Sequence, residues 1–272
     1  MSEGMRAAHN DAGGLHIDAV ECLRRGAIGA FGAIPGTLSA HPFDVVKMRQ
    51  QVGGAAIGPT VRAVGGPSNF YRGVGAGVSQ KIATRGPMFL VSEACTQQAQ
   101  RTLGIGREKA VFVGSALSGY VTGSAAAIFE WRKVQRGAAG SSGSLRTATL
   151  RTRLSIINGA GMRNSVFDSI FFGSEYAARQ QLGLPAAASY ACAAVFAMTV
   201  DFPLDSAVKG MMAAKPDEAA RGGALASTWR LVRERRLGIF NGLRAKACEF
   251  AVSYAVTGFT ASYVLRALEN FL

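Results

Sequence analysis

Acidic residues are scarce in this 272-residue chain: 17 Asp and Glu stand against 30 Lys and Arg, a formal net charge of +13. Charge of either sign is thin, at 17% of residues, yet the mean hydropathy is +0.17 and the pI about 10.2. A soluble nucleic-acid binder shares the basic balance but not the positive hydropathy. No aromatic–basic interleaving, zinc signature or helix-turn-helix pattern accompanies the charge. A membrane protein with basic loops accounts for both properties. Cysteine is rarer still. Cys22, Cys95, Cys192 and Cys248 lie far apart and form no CxxC pair, which argues against a zinc site or a thioredoxin-like motif and for isolated thiols in a reducing compartment. The three histidines, His9, His16 and His41, form no evident site. There is no Walker loop, and Gly73-Val74-Gly75-Ala76-Gly77 opens an apolar segment instead of joining a strand to a helix. No enzyme, cofactor or metal is therefore expected. The opening MSEGMRAAHNDAGG has no apolar core and carries Glu3 and Asp11, so neither a signal nor a transit peptide is expected and any organelle address would be internal.

Glycine, by contrast, is abundant, with 34 residues. Small residues at this level suit transmembrane helices whose backbones approach closely. Ala110 to Phe129 is twenty residues without a charge, enough to cross a bilayer as a helix. Ala27 to Phe43 and Leu184 to Val200 are seventeen each, and Phe250 to Leu265 is sixteen. Two weaker candidates lie between them, roughly Gly73–Gln98 and Ile156–Gln181. They carry Lys81, Arg85, Glu93, Arg163, Asp168 and Glu175. Ionisable residues are expensive in lipid, so these should face protein or a water-filled cavity, unless the two segments are amphipathic helices of a soluble domain.

The spans repeat. The first closes on Pro42-Phe43-Asp44-Val45-Val46-Lys47, the second on Ile128-Phe129-Glu130-Trp131-Arg132-Lys133, the third on Pro203-Leu204-Asp205-Ser206-Ala207-Val208-Lys209. The acids are 86 and 75 residues apart. Phe70-Tyr71-Arg72-Gly73 and Ile239-Phe240-Asn241-Gly242 each open a returning span. One such packet is an ordinary helix start or an i,i+3 pair. Three in matching places describe a unit of helix, charged packet, basic linker and returning helix, used three times over residues 17–100, 101–183 and 184–272.

Pro42, Asp44, Lys47, Arg49 and Gln51 match in full the signature of the mitochondrial carrier family, which the chain resembles from about Cys22 to Phe271. The second copy keeps Glu130 and Lys133 with Ile128 in place of proline. The third keeps Pro203 and Asp205, with Val208 in the base's register and Lys209 next to it. The resemblance implies an all-α membrane protein of six transmembrane helices, in three pseudo-symmetric two-helix repeats around a central cavity. It implies a monomeric, multi-pass solute transporter of the inner mitochondrial membrane, working by alternating access, with no nucleic-acid partner. Pro42 and Pro203 would kink their helices. A matrix-side gate would pair Asp44 with Lys133, Asp205 with Lys47, and Glu130 with Lys209 if that base bends in; otherwise the gate holds two bridges. The opposite gate looks eroded: Thr96 and Ala178 stand at the base positions after Glu93 and Glu175, with Arg179 one residue late, and Ala261-Ser262 stands in the third copy. Linker helices are doubtful in the first two copies and expected over 225–237 in the third.

For the solute, Arg163-Asn164 resembles the helix-four stretch of the oxodicarboxylate carriers, and Arg85, with Gln80 and Lys81 a turn earlier, suits an anion. The expected substrates are small carboxylates or keto acids, taken in exchange. Glu249, where anion carriers commonly place arginine, would instead suit a zwitterion or cation, such as an amino acid or an adenosyl compound. Two bland alternatives stay open: Arg163 as a structural partner of Asp168 or Glu175, and Glu249 as the partner of Arg244 or Lys246. A carrier-like scaffold that no longer transports is the remaining reading. Tyr71, Arg72, Gly73, Phe240 and Gly242 sit at helix N-termini and resemble the family's contacts for a cardiolipin-like anionic lipid.

Overall fold

A computed structural model describes residues 18–53, 57–71, 74–138, 149–213 and 243–271, with single positions between 226 and 240. At some of these, Gln80 and Lys133 among them, the description stops at the backbone. The described residues are helical throughout, without a strand: α1 (Ala19–Gly53), α2 (Ile57–Val64), α3 (Pro67–Phe70), α4 (Val74–Leu103), α5 (Arg107–Ala138), α6 (Leu150–Gln180), α7 (Ala186–Ala213) and α8 (Leu243–Phe271). The six long helices run 28 to 35 residues. Three expected spans fall inside α1, α5 and α8; Leu184–Val200 begins two residues before α7, and the two charged spans correspond to α4 and α6, with Gln181 one residue past the end of α6 and Gly73 outside the described residues.

Each long helix packs on the next in chain order, and α8 closes on α1, so the six form a ring. Short turns enforce the reversals. Gly104 ends α4 at φ 61° and Gly183 follows α6 at φ 62°, both in the left-handed region that glycine enters without steric cost. After α6 the Leu184 amide bonds back to the Ala178 carbonyl at 3.1 Å, satisfying a free helix-end acceptor. Between helices, glycine sets the approach. A Cβ on Gly119 of α5 would stand 2.4 Å from the Asn164 carbonyl oxygen of α6. One on Gly29 of α1 would stand 2.6 Å from that of Arg85 on α4, and one on Gly258 of α8 2.7 Å from that of Ala186 on α7.

Charged side chains are buried while large apolar side chains face outward. Lys47, Arg85, Glu93, Arg163, Asp168, Glu175, Asp201, Asp205, Lys246 and Glu249 are all buried, while Phe31, Phe112, Leu117, Phe129, Phe196 and Phe259 are half or more exposed. Water-soluble proteins do the reverse with charge, which they almost never bury in such number. A surround of hydrocarbon reconciles the two faces. On length and composition alone, two helices among the described residues pass as membrane spans, over Arg107–Trp131 and Ala186–Met212. The other long helices are diluted by glycine, proline, hydroxyl or charged residues.

Two apolar clusters brace the ring. One gathers Phe89, Phe171, Phe172, Tyr190 and Tyr254 from α4, α6, α7 and α8; the other gathers Trp131, Ile156, Leu204, Val208 and Met212 from α5, α6 and α7. The first linker departs from expectation, because α2 is a helix. Val61 and Val64 lie three residues apart on it; Val64 is buried beside Thr60 while Val61 stays 40% exposed, so a single buried valine anchors the segment against its neighbours. Residues 139–148 of the second linker lie outside the described residues. Of 225–237, positions 226, 229, 230 and 233 are described and helical, with Trp229 72% exposed.

Candidate functional site: a buried ion-pair layer and an arginine set apart from it

The charged packets bring their residues to one level of the interior. On α1, Lys47 lies 3.1 Å from Asp44, one turn away, and 2.6 Å from Glu249 on α8. On α5, Glu130 takes both Arg163 terminal nitrogens from α6, at 2.8 and 2.7 Å, a bidentate pairing that fixes the guanidinium plane. Arg163 also reaches Asp205 of α7 at 3.3 Å, and its Nε donates to the Asn164 side-chain oxygen at 3.0 Å. Asp205 accepts from Lys246 on α8 and, at 2.9 Å, from Lys209 one turn along its own helix. Lys246 and Glu249 share one face of α8, being three residues apart. A line of charge thus crosses five helices.

This is not the expected pairing. Asp205 and Lys47 do not meet, nor do Glu130 and Lys209. The expected partner of Asp44, Lys133, lies outside the described side chains. The returning helices explain the change: their Arg163, Lys246 and Glu249 stand between the packets of α1, α5 and α7 and take the partners first. Val208, in the register of the third base, is fully buried in the apolar cluster around Trp131, whose indole nitrogen donates to the Met212 carbonyl at 3.0 Å. Among the described residues Lys209 pairs with Asp205, not with Glu130. Both doubtful residues are ion-paired, as the structural alternatives had it, but with other partners than those expected. Arg163 pairs with Glu130 and Asp205, not with Asp168 or Glu175, and Glu249 pairs with Lys47, not with Arg244 or Lys246. Pro42 and Pro203 lie inside continuous helices.

Arg85 sits apart. It is 5% exposed and makes no ion pair among the described residues. Its two terminal nitrogens donate to Thr257 Oγ1 at 3.0 Å and Ser253 Oγ at 2.9 Å on α8, and its guanidinium carbon lies 4.3 Å from the centre of the Tyr254 ring. Three glycines of α1 make this bridge possible. Gly29 admits the α4 backbone at Arg85, while Gly32 and Gly36 admit Thr257 and Ser253 of α8, each within 2.7 Å of where a Cβ would stand.

A second charged layer lies toward the other end of the ring, and sequence reasoning missed two of its bases, Arg25 and Arg107. Glu93 accepts from Arg107 at 3.0 and 3.1 Å and lies 3.9 Å from Arg25; Glu175 lies 3.4 Å from Arg179. Arg25 is also held by Glu21 at 3.0 Å. Arg25 and Arg107 come from the starts of α1 and α5, whereas Arg179 follows its acid by four residues on α6. Arg107 could have been found: it opens α5 just beyond a three-residue turn from α4, so it returns to the level of Glu93. Arg25, Arg107, Glu175 and Tyr190 line a cavity of about 300 Å³ at this end.

Of the expected lipid residues, Arg72, Gly73 and Gly242 lie outside the described residues. Tyr71 and Phe240 are partly exposed, with rings 6.2 Å from His41 and Phe202 respectively.

No curated protein matches the chain significantly. Residues 18–102, which hold α1 to all but the last residue of α4, match the family model described as mitochondrial carrier protein, and this match supports a membrane-embedded solute transporter.

Proposed function

We propose that the whole chain is a mitochondrial carrier: six transmembrane helices in three repeats, 17–100, 101–183 and 184–272, moving a solute across the inner mitochondrial membrane by alternating access. The observation that carries this reading is a ring of helices with an apolar exterior and buried, cross-helix ion pairs inside. Such pairs hold one end closed, yet break without great cost when a ligand supplies competing contacts. The layers at Lys47–Glu249 and at Glu93–Arg107 are then the inner and outer closures of one pathway. Anionic lipid at Tyr71-Arg72-Gly73 and Phe240, and a monomeric state, belong to the same reading.

For the solute we propose a small carboxylate, keto acids among the candidates, bound by Arg85. Arg163 resembles the oxodicarboxylate carriers in sequence, but its donors are engaged by Glu130, Asp205 and Asn164. Arg85 has only neutral partners, which a carboxylate can displace or join. The test is counter-exchange in liposomes holding the purified chain, with 2-oxoglutarate, citrate, malate, lysine, S-adenosylmethionine and ADP as internal and labelled external solutes. Exchange of acids that falls on Arg85→Ala supports the assignment. Exchange restricted to the cationic compounds overturns it, and no exchange of any compound by folded protein points to a scaffold.

A further inference from the structure

The buried charges do not all pair. In the inner layer four bases, Lys47, Arg163, Lys209 and Lys246, meet four acids, Asp44, Glu130, Asp205 and Glu249. Lys81 and Arg85 of α4, Asp168 of α6 and Asp201 of α7 stand outside that balance, and none of the four makes an ion pair among the described residues. Asp168 is 2% exposed and Asp201 3%. Asp168 Oδ2 and Asp201 Oδ1 are buried without a hydrogen-bond partner among the described residues. The other buried acids, Glu93, Glu175, Asp205 and Glu249, each have a base. Two carboxylate oxygens left bare in the same interior are what a ligand's cation would satisfy.

Helix geometry places the unpaired groups at one level. Arg163 and Asp205 touch, which fixes α6 against α7. From that contact Asp168 is five residues on along α6 and Asp201 four residues back along antiparallel α7, displacements of about 8 and about 6 Å in the same direction. Among the described residues Asp201 and Arg163 are electrostatic neighbours of Asp168. Arg85 bonds Ser253 and Thr257, which follow Glu249 by four and eight residues on α8, so its head lies about 6 to 12 Å beyond the Lys47–Glu249 pair. That is the same displacement, toward the outer layer. Tyr254 joins the two sides: Arg85 covers its ring, and Phe167 and Phe171, which flank Asp168 in sequence, pack on it at 6.3 and 4.7 Å.

We infer that the solute is a zwitterion, its carboxylate held by Arg85 with Ser253 and Thr257, its ammonium group by Asp168 and Asp201, and its body against Tyr254. An α-amino acid is the simplest such compound. The inference rests on the carrier reading and narrows its carboxylate to one that also bears a cation.

The test compares each amino acid with its own oxo acid, glutamate with 2-oxoglutarate and alanine with pyruvate, in counter-exchange by the full chain in liposomes. The amino acid of at least one pair is expected to exchange about tenfold faster or more, the worth of one charge-assisted contact. Asp168→Asn should remove about tenfold from amino-acid exchange, change oxo-acid exchange by less than about twofold, and be rescued by Asp168→Glu. If Asp168→Asn does not fold, Asp201→Asn is read in the same way. Preference for the oxo acid, or a ratio unmoved by both variants, overturns the inference and leaves the carrier reading standing. Oxo-acid uptake driven by an imposed pH gradient, and deprived of that drive in Asp168→Asn, assigns the acids to a proton and also overturns it. No exchange of either class by folded protein removes the carrier reading itself.

Discussion

At the scale of single residues, two buried arginines do different work. Arg163 holds two carboxylates from two other helices; Arg85 holds two hydroxyls and a ring. Removing Arg163 leaves Glu130 without its ion-pair partner, while Asp205 keeps Lys209 and Lys246, and breaking a buried pair in this way costs about 3–5 kcal/mol. Arg163→Ala should therefore lower the thermal unfolding midpoint in detergent well below that of Arg85→Ala, which strands no charge. Equal midpoints would mean that the Arg163 pairs contribute nothing to stability. Lys47 and Glu249 give a cleaner case, being paired across 202 residues of sequence at 2.6 Å. Lys47→Glu or Glu249→Lys alone places like charges together; the double exchange should recover most of the lost stability, and a double variant no better than the singles would refute the pairing. None of this was legible residue by residue. The sequence shows which side chains are charged and that they recur in packets. It does not show that Glu249, an oddity by family pattern, is the acid that Lys47 uses, because that choice is made by how closely α1 and α8 approach.

Helices were the legible scale. Uncharged runs marked α1, α5, α7 and α8, and the repeat pointed to α4 and α6 despite their charges. Helix ends ran beyond the apolar runs because the charged packets and their flanks continue the helix. Much of the packing is also written in glycine, though sequence alone cannot separate a glycine that touches a neighbour from one that does not. Gly119 and Gly75 make the distinction measurable. A Cβ at Gly119 meets the α6 backbone at 2.4 Å, whereas at Gly75 nothing lies within 4 Å. Gly119→Ala should destabilise by about 1–3 kcal/mol through overpacking. Gly75→Ala should stabilise by about 0.5–1 kcal/mol, because alanine has less backbone freedom to lose on folding. Unfolding midpoints that move in the same direction for both would contradict the close α5–α6 contact. The α2 helix was the miss here: a single buried valine is too little to stand out among glycines.

For the whole molecule, alternating access requires the inner layer to separate in every cycle. With the four native cysteines replaced, the pair Lys47→Cys and Glu249→Cys can be joined by a reducible bifunctional thiol reagent that spans the length of the lost side chains. Exchange should stop on cross-linking and return on reduction; exchange that continues through the cross-linked protein would show that α1 and α8 need not part. The ring also has a consequence in time. Its last seam joins the first long helix to the final one, and Lys47 waits for a partner 202 residues downstream. At a synthesis rate of roughly 5–20 residues per second, that wait is about 10–40 s. Through this interval the nascent chain holds an apolar outer surface without a bilayer and a lysine without its acid. It must be kept from aggregating by something other than its own fold, and no mutation inside the ring can shorten the delay.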